Sequence, residues 1–419
     1  MATTVSLALA ACGSNSSSTN AAGQVEIRFT WWGSDARVKV TTAAIAAFEA
    51  ENPGIKVLAE YGDWSGYWDK LATQTAGNDA PDVIQMDEKY IAEYSSRGAL
   101  LDLSKYKVDT TNLVADVLKA GQSAAGLTGI PAGINAATII ANPQVFKNAG
   151  VAQPDDATWT WADYKRIAAE VTEKSEPGIT GSTAYSADQA SLNVWLRQSG
   201  KEFYSADGKL GFAPADIEGW LAFLVELGDA KAIPPASSVI EEQASSLDQS
   251  ATATGAAAMS FWWSNQLPAL EKAAGTELEI LTYPTKTGTS ADAKLWYKPS
   301  MFWSASSRTK HPEESAKLID FLANSTAAGE ALLADRGVPT STVVRAAVAD
   351  QMTPVNVRVI EFIDSIQDTL GPVPPSVPKG AGAMEDIIKR SASEVMFRRQ
   401  SAADAATKAF DEMQAAIGN

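Results

Sequence analysis

Residues 25–61, VEIRFTWWGSDARVKVTTAAIAAFEAENPGIKVLAEY, decide the fold of this 419-residue chain. Apolar side chains alternate with polar ones at the start of this stretch, at Val25, Ile27, Phe29 and Trp31. A period of two predicts a strand. A helix is predicted over 38–51, the turn Asn52-Pro53-Gly54 ends it, and a second strand is predicted over 55–61. Strand, helix and strand in this order form a βαβ unit, which predicts a parallel sheet.

The same alternation of strand and helix signals continues along the chain. Further helices are predicted over 64–75, 161–174, 191–198, 217–230 and 312–323, and further strands over 82–86, 136–141, 256–262 and 278–283. After Pro339 the remaining pattern is helical. The Gly-rich stretch 126–135 and the stretch 298–304 are candidates for crossings between lobes, so the chain is expected to be α/β with two lobes.

Composition excludes several classes of function. Lys and Arg number 34 and Asp and Glu number 50, which gives a net charge of −16. A field of that sign repels phosphate backbones and anionic membranes, so nucleic-acid binding is not expected. His311 and Cys12 are the single histidine and cysteine, which argues against disulfides, His/Cys zinc sites and most histidine-based catalysis. No metal or cofactor is expected. The length indicates two domains, or three.

The first residues resemble a targeting signal. A short apolar run, LALAAC over 7–12, ends at Cys12 and is too short to span a bilayer. Leu9-Ala10-Ala11-Cys12 resembles the bacterial lipobox, in which cleavage leaves a lipidated N-terminal cysteine. Residues 1–23 are therefore interpreted as a lipoprotein signal remnant and a Ser/Asn-rich tether. The alternative is a stray cysteine in a disordered tail.

Two doubled tryptophans stand at the carboxyl ends of predicted strands. They are Trp31-Trp32 and Trp262-Trp263, and small polar residues follow each pair. Ligands of open α/β sheets bind at this edge. Because neighbouring residues of a strand point to opposite faces, at most one tryptophan of each pair is expected in the core. For any single tryptophan, core packing remains the ordinary alternative.

A third aromatic cluster covers residues 61–70, where the second strand meets the second helix. Trp64 and Trp68 lie four residues apart on one helix face, and Trp68 is expected to pack on the sheet. Asp63 is either a helix cap or a ligand contact. Aromatic planes beside Asp, Asn and Arg suit a sugar, whose ring has an apolar face and a rim of hydroxyls. The candidates for a forked donor to that rim are Arg37, Arg197 and Arg336.

Hydrolysis of a sugar would instead need two carboxylates flanking one bond. Candidates for such a pair are Asp35, Asp63, Asp87 and Glu88. In a chain with 50 acidic residues this signal is weak. The sequence contains no phosphate-binding glycine motif and no metal-ligand spacing.

The ordered set of segments resembles one family of proteins. These segments are the lipobox, VEIRFTWWGSDAR, FEAENPGIKV, DWSGYWDKLATQ, APDVIQMD, GIPAGIN, MSFWWSNQ, HPEESAKLIDFL and RGVPTS. They look like the extracellular solute-binding proteins of bacterial ABC importers, in the maltose-binding-protein-like carbohydrate branch called family 1. The resemblance implies a periplasmic-binding-protein-like fold, in which each lobe is a mostly parallel sheet flanked by helices and hinge crossings join the lobes.

The resemblance also implies lobe boundaries and a function. The first lobe would cover 24–133 and 303–338, and the second 134–302 and 339–419. The protein would be a monomeric, non-catalytic receptor that is anchored to the outer face of the membrane by lipid on Cys12. It would deliver a di- or oligosaccharide to the transmembrane subunits of an ABC permease. A secreted carboxylate-pair glycoside hydrolase and a receptor for another solute, such as a peptide, are the alternatives.

Ligand contacts are implied on loops of both lobes. In the first lobe they are Trp32, Ser34, Asp35, Arg37, Asp63, Trp64, Tyr67, Asp87 and Arg336. In the second lobe they are Asn135, Tyr185, Trp195, Arg197, Trp262, Trp263, Asn265, Ser300 and Phe302. Strand alternation sends the rings of the second tryptophan pair to opposite sides. Trp263 is assigned to the cleft, because the polar residues Ser264 and Asn265 follow it, and Trp262 to packing; a register shift of one residue would swap the two roles.

Overall fold

The computed structural model describes residues 19–33, 35–185, 189–375 and 377–418. The predicted lipid site Cys12 and the predicted contact Ser34 lie outside these ranges. The strands are β1 Val25–Trp32, β2 Ile55–Gly62, β3 Val83–Met86, β4 Gln122–Ser123, β5 Gly126–Leu127, β6 Ile130–Pro131, β7 Gly133–Asn135, β8 Ala137–Ala141, β9 Thr180–Ser182, β10 Ala257–Trp263, β11 Glu279–Leu281, β12 Lys298–Pro299, β13 Phe302–Ala305 and β14 Val338–Pro339.

Helices fill most of the remaining chain. They are α1 Asp35–Glu51, α2 Trp64–Ala76, α3 Glu88–Ser96, α4 Ala115–Lys119, α5 Pro143–Ala149, α6 Trp161–Lys174, α7 Gln189–Arg197, α8 Pro214–Asp229, α9 Ala236–Ala244, α10 Ala251–Thr254, α11 Leu267–Ala274, α12 Pro312–Asn324, α13 Thr326–Leu332, α14 Thr342–Ala347, α15 Pro354–Ser365, α16 Met384–Met396 and α17 Ala402–Ile417. Within the described ranges, no helix combines the length and the apolar character needed to cross a membrane.

The first lobe is built on a five-stranded sheet in the order β2-β1-β3-β13-β6. Strand β1 pairs in parallel with β2 along its whole length, from Val25 opposite Ile55 to Trp32 opposite Gly62. The predicted βαβ unit is therefore confirmed. The turn after α1 closes when the Ile55 amide donates to the Asn52 carbonyl at 2.9 Å.

The second lobe is built on a four-stranded sheet in the order β11-β8-β10-β9, and a small sheet, β12-β7-β14, joins the lobes. In the described part of each large sheet one strand runs against the others, β13 in the first and β8 in the second. Each of these strands follows a crossing strand after one or two residues, too few for a crossover helix. A strand that starts at a crossing runs away from the cleft, whereas its neighbours in the sheet run towards the cleft. The two directions make the pairing antiparallel.

Each lobe encloses its own core. Trp31 and Trp303 are fully buried in the first, and Tyr164 and Trp220 are fully buried in the second. The crossing strand β7 lies too close to its neighbour for a side chain at Gly133, where a Cβ would stand 2.1 Å from the carbonyl oxygen of Arg336. This close approach explains the glycine in the GIPAGIN segment.

We propose the lobe boundaries expected from the sequence with one change. It concerns the boundary predicted at residue 339, where the chain passes from the first lobe back to the second. Strand β14 leads into α14, which contacts α13 of the first lobe. The Thr342 amide donates to the carbonyl of Asn112 at 3.0 Å, and Ser341 forms an antiparallel bridge with Leu113. Because α15 is the first helix after these contacts to pack on β11 and α11, the second lobe resumes near residue 350.

Candidate ligand-binding site

A cavity of about 1180 Å³ opens between the two lobes and continues along the second lobe. The first lobe lines it with Trp64, Asp87, Glu88 and Lys89. The crossing strands and the residue beside them contribute Asn135, Lys298 and Ser300. Second-lobe residues of the wall include Asn193, Ser260, Trp262, Trp263, Asn265 and Trp296. The cavity thus lies at the carboxyl ends of β3 and β10, the edge where α/β sheets bind ligands.

Seven of the residues predicted from the sequence meet in this cavity. They are Trp64, Asp87, Asn135, Trp262, Trp263, Asn265 and Ser300. They come from the first lobe, the second lobe and the crossings. A single ligand in this cavity would therefore contact both lobes and the crossings between them.

Both tryptophans at the end of β10 line the cavity. The indole N–H of Trp262 donates to Thr252 Oγ1 at 2.8 Å, and its ring packs on the second-lobe core. The Trp263 ring has the Lys298 ammonium 5.2 Å from its centroid and the Trp296 ring 6.5 Å away, edge-on. The family resemblance implied a ligand contact at Trp262, whereas the strand pattern assigned it to packing. It does pack, but it also lines the cavity, because the cavity extends around the end of the strand and reaches both faces.

The first lobe presents the Trp64 ring to the cavity, and this side chain is 42% exposed. Trp32 stands behind it, 5.0 Å away and edge-on, and is only 8% exposed. Trp68 packs against Tyr90 with ring centroids 4.0 Å apart, as expected for a packing residue. Tyr67 is buried and its hydroxyl donates to the Gln85 carbonyl at 2.6 Å. Trp32 and Tyr67 therefore support Trp64 and do not line the cavity themselves.

Three buried polar atoms of the cavity wall have no hydrogen-bond partner within the described chain. They are Asn135 Oδ1, Asn193 Oδ1 and Ser260 Oγ, on residues that are 5%, 7% and 1% exposed. Five others in the described chain, four indole nitrogens and Arg358 Nε, lie outside the cavity wall. An unpaired buried carbonyl or hydroxyl oxygen costs about 1–3 kcal/mol unless a ligand bonds to it. Three of them around one cavity indicate a site built for a polar ligand.

Both lysines of the described cavity wall are paired with carboxylates of the same wall. Lys298 Nζ lies 3.5 Å from Glu88 Oε2, and burial raises the pKa of Glu88 despite this lysine. Lys89 Nζ reaches Glu385 Oε2 at 2.5 Å and so connects α3 of the first lobe to α16 of the second. Asp87 caps α3 by accepting from the Lys89 amide at 2.9 Å.

None of the three predicted arginines lines the cavity, because each one is held by partners elsewhere. Arg37 Nε pairs with Asp335 at 2.8 Å. Arg197 pairs with Glu202 at 2.6 Å and donates to the Lys294 carbonyl at 2.8 Å. Arg336 is 3% exposed and donates to Gln85 Oε1 at 2.9 Å and Thr41 Oγ1 at 2.8 Å. These guanidinium groups hold segments of the fold together.

The remaining predicted contacts also lie away from the cavity wall. Tyr185 is buried and donates to the Trp220 carbonyl at 2.9 Å, and Phe302 is fully buried in the first sheet. Trp195 stacks on Phe223 with centroids 5.7 Å apart. Asp35 and Asp63 are exposed outside the cavity, and the Asp63 side chain makes no capping hydrogen bond to α2.

Sequence reasoning missed several residues of the cavity wall. They include Lys298, Asn193, Ser260, Trp296 and Glu385, while Glu88 was considered only as a hydrolase carboxylate. Strand alternation would have assigned Ser260 to packing, because it shares a face of β10 with Trp262. The other residues carry no local signal, since their place in the wall depends on contacts between distant segments.

The comparisons with known proteins agree with this geometry. A family model described as "Bacterial extracellular solute-binding protein" matches residues 43–354. The chain belongs to this family. The periplasmic-binding-protein-like fold expected from the sequence, with two α/β lobes, is therefore confirmed.

Among its curated relatives, an uncharacterized lipoprotein in the oleD 5' region of Streptomyces antibioticus is 28% identical over 196 residues, covering 45% of this chain and 43% of that protein. The putative ABC transporter periplasmic-binding protein YcjN of Escherichia coli is 22% identical over 296 residues, covering 68% and 65%. The match thus spans less than two thirds of either relative.

Matches to solved structures extend over a larger part of the chain than the matches to curated relatives do. A family 1 solute-binding protein from Alicyclobacillus acidocaldarius has a TM-score of 0.73 and 27% identity, covering 94% of this chain and 99% of that one. A Yersinia enterocolitica oligogalacturonide-binding protein has a TM-score of 0.80 and 21% identity, covering 94% and 98%. The GacH receptor of Streptomyces glaucescens, solved with acarbose, has a TM-score of 0.75 and 19% identity, covering 94% and 98%. The last two show the shared fold.

Proposed function

We propose that this solute-binding protein captures a neutral di- or oligosaccharide between its lobes and delivers it to the permease of an ABC importer, without catalysis of its own. The observation that carries the proposal is the combination of three unpaired buried polar atoms with the aromatic rings of Trp64, Trp262 and Trp263 in one cavity. The structural neighbours named for oligogalacturonide and acarbose, and the relative named as an ABC transporter protein, support it.

Each part of the cavity wall matches a part of a sugar. Indole rings offer rigid planes for the apolar face of a pyranose, at a small entropy cost. Asn135, Asn193 and Ser260 offer oxygens that can accept from hydroxyl groups, and the serine can also donate. Because the wall belongs to both lobes, a sugar bound here would have greater affinity for the closed form and would favour closure.

The charges of the wall favour a neutral sugar over a uronic acid. Among the described lining residues the cationic side chains are Lys89 and Lys298, and both are paired with carboxylates. A sugar carboxylate would have to compete with Glu88 or Glu385 for them, and it would be desolvated beside further acidic groups. A neutral hydroxyl rim meets no such opposition.

The test is isothermal titration calorimetry with neutral galactobiose against digalacturonic acid, within a wider panel of neutral disaccharides. We expect at least one neutral disaccharide to bind. We also expect digalacturonic acid to bind at least about tenfold more weakly than galactobiose of the same skeleton, a difference of about 1.4 kcal/mol. Tighter binding of the uronate would contradict the charge argument, and failure of every sugar in the panel would favour a peptide or another solute.

The glycoside hydrolase alternative finds less support in the cavity. Asp87 already accepts a hydrogen bond at the start of α3, and Glu88 faces Lys298. A retaining or inverting hydrolase would need two carboxylates free to flank the scissile bond. Chromatography of any bound oligosaccharide after prolonged incubation should show the sugar intact, and its turnover would establish the hydrolase.

We further propose that the protein is anchored to the outer face of the cell membrane by lipid on Cys12. The proposal rests on the Leu9-Ala10-Ala11-Cys12 sequence and on the lipoprotein name of the Streptomyces antibioticus relative. We expect the Cys12→Ser variant to lose its acyl chains and to be released or left uncleaved. Mass spectrometry of the native protein should show a diacylated or triacylated Cys12, and an unmodified cysteine would overturn the proposal.

A further inference from the structure

The cavity extends well beyond the cleft between the lobes. It begins at Trp263, at the carboxyl end of β10, and its lining continues to Thr254 and Ala256, just before the amino end of the same strand. Trp263 and Ala256 are seven residues apart, a distance of about 23 Å along an extended strand. The cavity therefore runs along the side of the second lobe as well as across its top.

This extension, which we call the side groove, passes the start of the edge strand of the second sheet. Strand β9 is the edge strand, and Thr180 at its start lines the groove. Helix α9 also lines the groove, through Ser238 and Glu241. Within the described part of α9, Val239 is buried, while Ser237 and Ile240 are exposed. The groove is thus lined both by the start of β9 and by a helix with few buried side chains.

The chemistry of the side groove continues that of the cleft. Hydroxyl and amide groups line it at Thr180, Ser245, Gln249 and Thr254, and acidic groups line it at Glu176 and Glu241. Ser260 lies about halfway along β10, is 1% exposed, and has an Oγ with no partner within the described chain. A buried hydroxyl at this depth indicates that polar ligand groups enter beyond the aromatic rings of the cleft.

We propose that the side groove holds the distal units of an extended neutral oligosaccharide whose first units bind in the cleft. This inference rests on the proposed function and deepens it, since it selects oligosaccharides of several units over disaccharides. The acidic lining of the groove favours neutral units there for the same reason as in the cleft.

The test uses calorimetry of the full-length protein with four neutral pairs: maltose and maltohexaose, cellobiose and cellohexaose, mannobiose and mannohexaose, and xylobiose and xylohexaose. For the series that binds, we expect the hexasaccharide to bind at least about tenfold more tightly than the disaccharide, the effect of one or two added hydrogen bonds. The Ser238→Trp variant, which fills the groove from α9, should reduce this ratio to about one and leave disaccharide binding unchanged.

The matched control is Ser237→Trp, one residue earlier, because Ser237 is exposed and outside the cavity lining. It should keep the parental ratio. If Ser238→Trp does not fold, Glu241→Trp places the same ring one helical turn further along the groove. Equal affinity of disaccharide and hexasaccharide for the parent, or a parental ratio in the groove-filling variant, would overturn the side groove alone. Failure of these four series and of every neutral disaccharide in the panel above would overturn the proposed function.

Discussion

The Trp263→Ala variant is expected to bind its sugar about 30-fold more weakly than the parent protein, a loss of about 2 kcal/mol. Trp263 ends β10 in the cavity wall, where Trp296 and Lys298 flank its ring. An aromatic plane that is desolvated against a ligand acts as a binding hot spot, and alanine removes the whole plane. Calorimetric titration with the preferred sugar measures the loss.

The control for this variant is Trp195→Ala. Trp195 was also predicted as a ligand contact, but it stacks on Phe223 outside the cavity wall. Its replacement should lower stability and leave sugar affinity unchanged. Normal binding by Trp263→Ala together with weakened binding by Trp195→Ala would place the site elsewhere in the second lobe.

Trp262→Ala should give a mixed result, in contrast to the purely structural loss that strand alternation predicts. Its ring is half-buried on the core, and its N–H donates to Thr252. Removing a fully buried tryptophan costs about 3–5 kcal/mol of folding free energy, and a half-buried one correspondingly less. Thermal melts and titrations of the same variant should both change.

The second large effect is expected at Arg336, where the Arg336→Met variant should lose about 3 kcal/mol of unfolding free energy. The guanidinium is buried, bonds to Gln85 and Thr41, and lies 4.9 Å from the centroid of the Trp303 ring. Methionine keeps the apolar stem but leaves Gln85 Oε1 buried and unpaired, which is the costly part of the change. Urea denaturation followed by tryptophan fluorescence measures the difference.

Arg97→Met is the matched control for Arg336→Met. Arg97 pairs with Glu93 on the exposed surface of the first lobe, so its loss should cost less than about 0.5 kcal/mol. Folded Arg336→Met should also keep parental sugar affinity, because Arg336 is outside the cavity lining. If Arg336→Met kept the parental stability but lost sugar binding, Arg336 would be a ligand contact, as the sequence predicts.

Local signals in the sequence determined the elements of this fold. Helix α6 covers the predicted residues, and a reciprocal capping box of Thr160 and Asp163 fixes its start. The alternation of Val25, Ile27, Phe29 and Trp31 predicted β1, and the crossings predicted near 126–135 and 298–304 contain β6, β7, β12 and most of β13. These features depend on residues close together in the chain, so the sequence reveals them directly.

The sequence also located part of the site. Residues at strand ends and crossings, such as Asn135, Trp263 and Ser300, were predicted and line the cavity. Their prediction succeeded because an α/β sheet presents the carboxyl ends of its strands to one edge, whatever the remaining side chains do.

Only the tertiary structure decided which polar residues were left for a ligand. Arg336 and Gln85 are 251 residues apart, and their hydrogen bond takes the arginine out of the candidate site. Glu88 and Lys298 likewise meet across distant segments, whereas Ser260 and Asn193 find no partner within the described chain. Residue type fixes what a side chain can bond to, but pairing depends on which distant segments pack together, and a local pattern carries no record of that.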